Sequence, residues 1–430
     1  MTAQKRRIKS SGKTHGRKVR VGVFGAGRGW TMINVLSQHP DAELVAICDK
    51  YAPLMDRCKK LAKSTGSRIT FYTDAEKFLQ HDMDAVVLAN YANEHAPYAV
   101  KALNNGMHVV SEVLAVQTLN QAVELVEAVE RSKCVYSYAE NYCYFRATQE
   151  MRRLYRKGDL GEFMHGEGEY VHNCVPIWPQ IAYGDPTHWR NIIYSTFYCT
   201  HSLGPLLHIT GERPVKVVGF ETPNTAALEC GVLSGAAGME ICQMSNGATV
   251  KSLHGLSLKR EPSSVWYCIY GTKGMMESDR WGQLVDRVNI YIEGDKGTPF
   301  ERSYLPSFQI ETDVSRKVGG HSGSDFYTMH FFLEKILGRP AGENSIDVYT
   351  ALDMTLPGLL AYKSILGGNK PYEVPDMRKK AVREKYRGDN FCTDPKVAGV
   401  QLAPNCSFGV PKIPKSVYER QRKLYEERRR

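Results

Sequence analysis

A two-domain α/β chain is predicted: an N-terminal doubly wound domain on a parallel sheet, then an α+β domain on a mostly antiparallel sheet. Three observations predict it. From Val19 to about Asn141, short apolar runs alternate with segments of helical spacing, the order that a parallel sheet with crossover helices requires. After Asn141 the texture changes to strand-like alternation with few helices between the strands. The length, 430 residues, exceeds what one core ordinarily organises. The expected division is a basic tail at 1–18, a doubly wound domain at 19–141, an α+β domain at 142–376 and a basic arm at 377–430.

The first run, VRVGVFGAGRG at Val19–Gly29, is an apolar strand broken by Gly25, Gly27 and Gly29. It reads as a buried strand turning into a helix, whose backbone amides and N-terminus can hold a pyrophosphate. The third glycine comes one residue early and is followed by Trp30, which leaves Arg28 placed to lean over phosphates or ribose. About twenty residues on, LVAICDK ends its strand in Asp49, at the spacing where a carboxylate accepts both ribose hydroxyls of NAD and repels the extra phosphate of NADP. Together these predict a Rossmann domain with NAD as cofactor. RITFY, DAVVLAN, MHVVSE and VYSYAEN supply further strands, with helices at about Pro53–Ala62, DAEKFLQ, YANEHAPYAVKALNNG and TLNQAVELVEAVERS. Ligands of such sheets lie along the carboxyl edge. Asn93 and His95 open the helix after DAVVLAN at that edge, and Glu112 and Asn141 end the strands MHVVSE and VYSYAEN.

In the second half, HGEGEYVH, VKVVGFE, ATVKSLHGLSL, SVWYCIYG and QLVDRVNIYIE read as strands. RATQEMRRLYRKGDLG, SDFYTMHFFLEKILG and SIDVYTALDMTLPGLLAYKSILGG carry helical spacing. From Pro371 onward periodicity is poor and Pro, Lys and Arg are frequent, which predicts an extended arm wrapping the protein or a neighbour.

Composition narrows the class. With 42% hydrophobic and 24% charged residues and no apolar run near eighteen residues, the chain is expected to be globular and to have no membrane partner. The formal charge of +10 gathers at the two ends, without an interleaved recognition motif, so solvated tails are expected rather than a nucleic-acid surface. The basic opening lacks the apolar stretch of a secretory signal, which predicts a cytoplasmic location; a form whose leader has been removed stays open. Eleven cysteines without a CxxC pair read as reduced thiols rather than a disulfide framework.

His, Tyr, Trp and Arg concentrate between Tyr170 and His208. An antiparallel domain beside a nucleotide domain commonly offers a substrate polar and aromatic groups, which makes Tyr170, His172, Trp189, Arg190, Tyr198 and His201 the candidates. His suits proton transfer near neutrality, and Tyr acts with it when a neighbouring cation lowers its pKa. The alternative, that these are core and interface aromatics, remains open for each. His165, His208 and His254 are read as structural. Cys174, His172, His188, Cys199 and His201 are ligand types, but their spacing matches no compact zinc pattern and no metal is expected.

GAGRG with Asp49, then NEH, SEV at Glu112 and EN at Asn141, resemble the glucose-fructose oxidoreductase/inositol dehydrogenase superfamily. Within it, GEGEYVH, HWRN, YCTHSLGP, GTKGMME and GGHSGSDF are similar to the NAD-dependent glycoside hydrolases of the α-N-acetylgalactosaminidase type. The resemblance runs from about Val19 to Asp376 and implies tightly held NAD that is regenerated in each turnover. It implies cofactor contacts at Arg28, Asp49, Asn93 to His95, Glu112, Val113, Asn141 and Arg190, and substrate contacts at Tyr170, Tyr198 and His201. Two departures stand out. The dehydrogenase branch has Glu-Lys-Pro with a catalytic lysine, whereas this chain reads Glu112-Val113-Leu114; the glycosidase branch usually has proline where Leu114 stands. A further substrate tyrosine expected after GTKG meets Arg280 and Trp281.

The implied chemistry removes hydride at sugar carbon 3, eliminates the aglycone after proton loss at carbon 2, adds water and returns the hydride. It would place His201 at the carbon 3 hydroxyl and Tyr170 at the carbon 2 proton, with Tyr198 orienting the ring and the Pro176–Arg190 loop excluding solvent. Net sugar dehydrogenation and a non-catalytic nucleotide-sensing protein are the alternatives. A homo-oligomer, dimer or tetramer, is expected because an antiparallel sheet with helices on one face leaves the other to be covered.

Overall fold

The computed structural model describes residues 17–281, 286–298 and 302–429. The basic tail expected at 1–18 therefore lies outside the described residues except for Arg17 and Lys18, as does the start of the strand expected at QLVDRVNIYIE. The chain forms two units, one of 1–116, 121–144 and 309–351 and the other of 117–120, 145–308 and 352–430.

The first unit holds a parallel six-stranded sheet: β1 (Val19–Phe24), β2 (Ala42–Cys48), β3 (Thr70–Tyr72), β4 (Ala85–Leu88), β5 (His108–Ser111) and β6 (Tyr136–Tyr138). Their order is β3-β2-β1-β4-β5-β6, the doubly wound arrangement that alternating strands and helices predict. β1 and β4 are almost entirely buried, as parallel strands covered on both faces must be, and so read as continuous apolar runs. Residues 309–351 join this unit from far along the chain, bringing the helix Ser324–Ile336.

The second unit holds nine strands: β7 (Phe163–Val171), β8 (Pro214–Glu221), β9 (Ala237–Met244), β10 (Thr249–Gly255), β11 (Ser264–Gly271), β12 (Gly274–Ser278), β13 (Val288–Ile292), β14 (Ser303–Tyr304) and β15 (Tyr372–Glu373). Their order is β14-β13-β12-β11-β7-β10-β9-β8-β15. The pairing is antiparallel apart from β7 with β10, which run parallel and set Tyr170 directly beside His254. The helix Cys199–Thr210 lies across β7, β10 and β11. Its close approach depends on Gly168, where a Cβ would overlap the Ser202 carbonyl oxygen. Gly168→Ala must push helix and strand apart, and overpacking of this kind costs about 1–3 kcal/mol. Denaturant titration should show that loss.

The arm expected to be extended is instead anchored and ends in the helix Lys415–Arg429. Only Val417 and Gln421 turn fully inward from an otherwise charged stretch, so the buried stripe is too narrow to show as periodicity. It is held by a segment far back in the chain: Tyr183 and Tyr425 pack edge to face at 5.0 Å, and Arg428 donates to the Pro176 carbonyl at 2.8 Å. All eleven cysteines are free thiols, ten of them buried. No described helix is long and apolar enough to cross a membrane.

Candidate active site

In the first unit the glycine turn is built as its residues require. Gly25 has φ +102°, a conformation that L side chains rarely adopt, and its backbone runs against Ala89 at the end of β4. The position of a Gly27 Cβ is open, meeting only the Leu54 side chain at 3.6 Å, and the amides of Gly27 and Arg28 donate to no group among the described residues. An open glycine turn feeding the helix Trp30–Gln38, which has no acidic residue in its first turn, fits a pyrophosphate. Asp49 ends β2 and ties the turn together, accepting from the Ala26 amide at 2.7 Å and the Tyr51 amide at 2.8 Å. Lys50, the cation next to Asp49 in sequence, is paired with Glu94 at 2.6 Å. His95 is buried between the carbonyls of Leu114 at 2.9 Å and Asn90 at 3.3 Å, pinning the turn after β4 to the loop after β5. Burial lowers its pKa.

An ion cluster around the buried Asp325 and Glu112 completes this edge. Arg28 Nη2 stands 2.7 Å from Glu112 and 2.8 Å from Asp325, while its Nη1 reaches the other Asp325 oxygen at 3.1 Å. Asn141 Nδ2 donates to Asp325 at 3.1 Å and His321 Nδ1 lies 2.9 Å from it. Burial would lower the Arg28 pKa and raise that of Asp325. Glu112 and Asp325 overcome it for the guanidinium, and His321 and Arg28 for the carboxylate, so both stay ionised. The cluster therefore gathers three of the residues singled out in the sequence, Arg28, Glu112 and Asn141. Asp325 is the member that sequence reasoning missed; GGHSGSDF marks its place, but nothing local tells which distant group it meets.

In the second unit, Tyr170 on β7 has its ring 4.8 Å from that of His201 and 5.5 Å from that of His254, the latter pair stacked at 5°. Tyr198, at the N-cap of the helix Cys199–Thr210, stacks on His201 at 5.5 Å and 4°. Arg190 lies over the Trp189 ring at 4.5 Å and the Tyr198 ring at 5.5 Å, putting a cation beside the phenol. His201 is placed by a helix defect. Pro205 has no amide hydrogen, so the His201 carbonyl loses its helical donor, and the buried Tyr267 hydroxyl donates to it instead at 2.6 Å. The arrangement brings two phenols, two imidazoles and a guanidinium together, groups suited to moving protons rather than to displacement by paired carboxylates.

Residues 19–140 match the oxidoreductase family with an NAD-binding Rossmann fold, and residues 232–384 match the glycosyl hydrolase 109 C-terminal domain. The chain joins an NAD-binding Rossmann domain to a glycosyl hydrolase 109 domain. It is an NAD-dependent enzyme. It is 26% identical over 402 residues to glycosyl hydrolase family 109 protein 1 of Phocaeicola vulgatus, with 84% of each chain covered. It is also 26% identical over 431 residues to the alpha-N-acetylgalactosaminidase of Tannerella forsythia, covering 88% of this chain and 90% of the relative. Among solved structures, the inositol dehydrogenase homologue complexed with NAD+ from Azotobacter vinelandii superposes with TM-score 0.66 at 16% identity, over 84% of this chain and 99% of that one. Levoglucosan dehydrogenase in complex with NADH and levoglucosan gives 0.65 at 16%, over 84% and 100%. These structural likenesses establish the shared fold.

Within this glycosyl hydrolase 109-type chain, His172 lies just beyond β7 with its ring 6.2 Å from that of Tyr170, while Trp189 is buried against Phe197 and Tyr198. His254, read from sequence as structural, stands within the cluster. Its Nδ1 donates to the Ser195 carbonyl at 2.7 Å, which leaves Nε2 an acceptor with no partner among the described residues. Burial pushes it down to about 4, so it is neutral at physiological pH. The signal in the sequence is register: His254 and Tyr170 are neighbours only because β7 and β10 pair in parallel. No group of three or more His, Cys, Asp or Glu side chains among the described residues could hold a metal ion.

Proposed function

We propose that this enzyme is an NAD-dependent glycoside hydrolase acting by transient oxidation at sugar carbon 3, elimination, water addition and re-reduction. The observation that carries it is the Tyr170–Tyr198–His201 cluster in a chain that bears a glycosyl hydrolase 109 domain and has Val113 where a dehydrogenase lysine would follow Glu112. NAD, when bound, supplies a reversible hydride acceptor for carbon 3. His201 takes the proton of the carbon 3 hydroxyl as the ketone forms. That ketone acidifies the carbon 2 proton, which Tyr170 removes; Arg190, over the Tyr198 ring, keeps positive charge near the phenols as they exchange protons. The aglycone leaves from carbon 1, water adds to the unsaturated ketone, and the same groups return the protons while hydride goes back to carbon 3. The segment from Pro176 to Arg190, strapped by the C-terminal helix through Arg428, Tyr425 and Arg422, is the part suited to keeping solvent from the ketone.

Substrate deuterated at carbon 2 or carbon 3 is expected to react more slowly, and solvent deuterium should appear at carbon 2 of the released sugar. Aglycone release without that exchange would overturn the mechanism. Accumulation of reduced cofactor with no aglycone released would favour net sugar dehydrogenation, the activity named in several fold relatives.

For the cofactor, Asp49→Ala is expected to weaken NAD binding by about 1–3 kcal/mol, since it removes a charged acceptor that also ties the glycine turn. Titration of the purified variant checks this, and tighter binding of NADP than NAD by the native protein would refute the assignment.

The chain also assembles with itself through the face of the nine-stranded sheet that carries Phe220, Ile241, Tyr270 and Tyr291. Phe220, Ile241, Tyr270 and Tyr291 lie along that face at 37–43% exposure and are the apolar groups that a partner copy would cover. Sedimentation at micromolar concentration should give a dimer or tetramer; a monomer alone would remove this part of the proposal.

A further inference from the structure

The helix Ser324–Ile336 comes from late in the chain yet delivers a buried carboxylate to the cofactor edge of the first unit. This inference rests on that edge being the NAD site. The glycine turn follows β1 and Asp49 follows β2, so the adenosine half of a dinucleotide lies over β1 to β3 and the nicotinamide half over β4 to β6. Glu112 follows β5 and Asn141 follows β6, which places both on the nicotinamide half. Asp325 reaches the same place and spends both oxygens there, on Arg28, Asn141 and His321. Its exposure is 0% and that of Glu112 is 5%. Asp325 and Glu112 thus share the Arg28 guanidinium, and little water screens either carboxylate.

We propose that Asp325 is the positioning residue of the nicotinamide half: it fixes Arg28 and Asn141, and its negative charge favours the cationic, oxidised nicotinamide over the neutral, reduced ring. For a reaction that must return its hydride in every turnover, such a bias keeps the resting enzyme ready to accept one. Asp325 acts through the groups it holds and through its field, without touching the sugar.

The test compares dissociation constants for NAD+ and NADH in the full-length protein, with every variant measured at one fixed pH and ionic strength. Asp325→Asn removes a negative charge and should weaken NAD+ more than NADH, lowering the ratio of the NADH constant to the NAD+ constant by about threefold to tenfold. Arg28→Gln removes the positive charge and should move that ratio the opposite way by a similar factor. A residue that merely supports the fold would shift both variants in the same direction or leave the ratio unchanged, and either result overturns the proposal. Should Asp325→Asn fail to fold, as judged by thermal melting, the direction of the Arg28→Gln shift decides alone. If the native protein binds neither NAD+ nor NADH, the reading of the cofactor site fails and this inference falls with it; normal binding with an unmoved ratio removes the inference only.

Discussion

Replacement of His201 by alanine is expected to lower turnover by about 100- to 10,000-fold, the usual contribution of a positioned acid or base, while bound NAD is retained. The retention follows from the architecture: the glycine turn, Asp49 and the Arg28 cluster belong to the first unit, and His201 belongs to the second. His201 is 9% exposed, sandwiched by Tyr198 and Tyr170, and anchored through its carbonyl by Tyr267, so alanine removes an imidazole without freeing the helix. The measurement is aglycone release from an aryl glycoside, alongside the NAD content of the purified variant. Near-native turnover would mean that His201 handles no proton, and loss of NAD together with activity would mean that the substitution damages more than the sugar site.

The second large effect concerns stability. Glu240 on β9 is fully buried, and among the described residues neither carboxyl oxygen has a well-formed hydrogen bond; the Ser252 hydroxyl, its cross-strand neighbour, offsets the burial only in part. Burial raises its pKa from 4.5 to about 8, so the folded protein holds a neutral acid there at neutral pH. The sign follows from linkage. Below pH 4.5 both states are protonated and the stabilisation is complete. Between 4.5 and 8 the unfolded chain ionises while the folded one does not, so stability declines as pH rises, and above 8 the decline stops. The total is about 3–5 kcal/mol, since each tenfold change in proton affinity is worth roughly 1.4 kcal/mol. Glu240→Gln cannot ionise, so its stability relative to the native protein should climb across that window and then level off. Denaturant titrations of both proteins from pH 5 to pH 9 measure the difference, and parallel curves would show that Glu240 does not titrate in this way.

Legibility in the sequence followed the range of the forces involved. The doubly wound unit was readable because its central strands are covered on both faces, which writes a continuous apolar run into the chain, and because the glycine turn needs particular residues at particular places, Gly25 above all. Asp49 follows β2 where its spacing puts it, and only the structure adds that it closes the glycine turn through the Ala26 and Tyr51 amides. Tyr198 and His201 stood out as chemistry-bearing side chains in the Tyr170–His208 segment, and the structure sets them at the start of the helix Cys199–Thr210. The C-terminal helix was not readable: its inward face is Val417 and Gln421 against a charged background, and its partners Tyr183 and Pro176 lie more than two hundred residues away.

By itself, then, the sequence determined what depends on neighbours along the chain: the alternation that makes the parallel sheet, the turn that suits a pyrophosphate, the acid that follows it, and the type of side chain offered to a substrate. The tertiary structure alone decided which distant groups share a site. His254 meets Tyr170 because β7 and β10 pair in parallel, Tyr267 supplies the donor that Pro205 withholds from His201, and Asp325 meets Arg28 across nearly three hundred residues. Each of those pairings satisfies a buried polar group or packs a buried ring, and burial is a property of the folded chain that no local spacing can express.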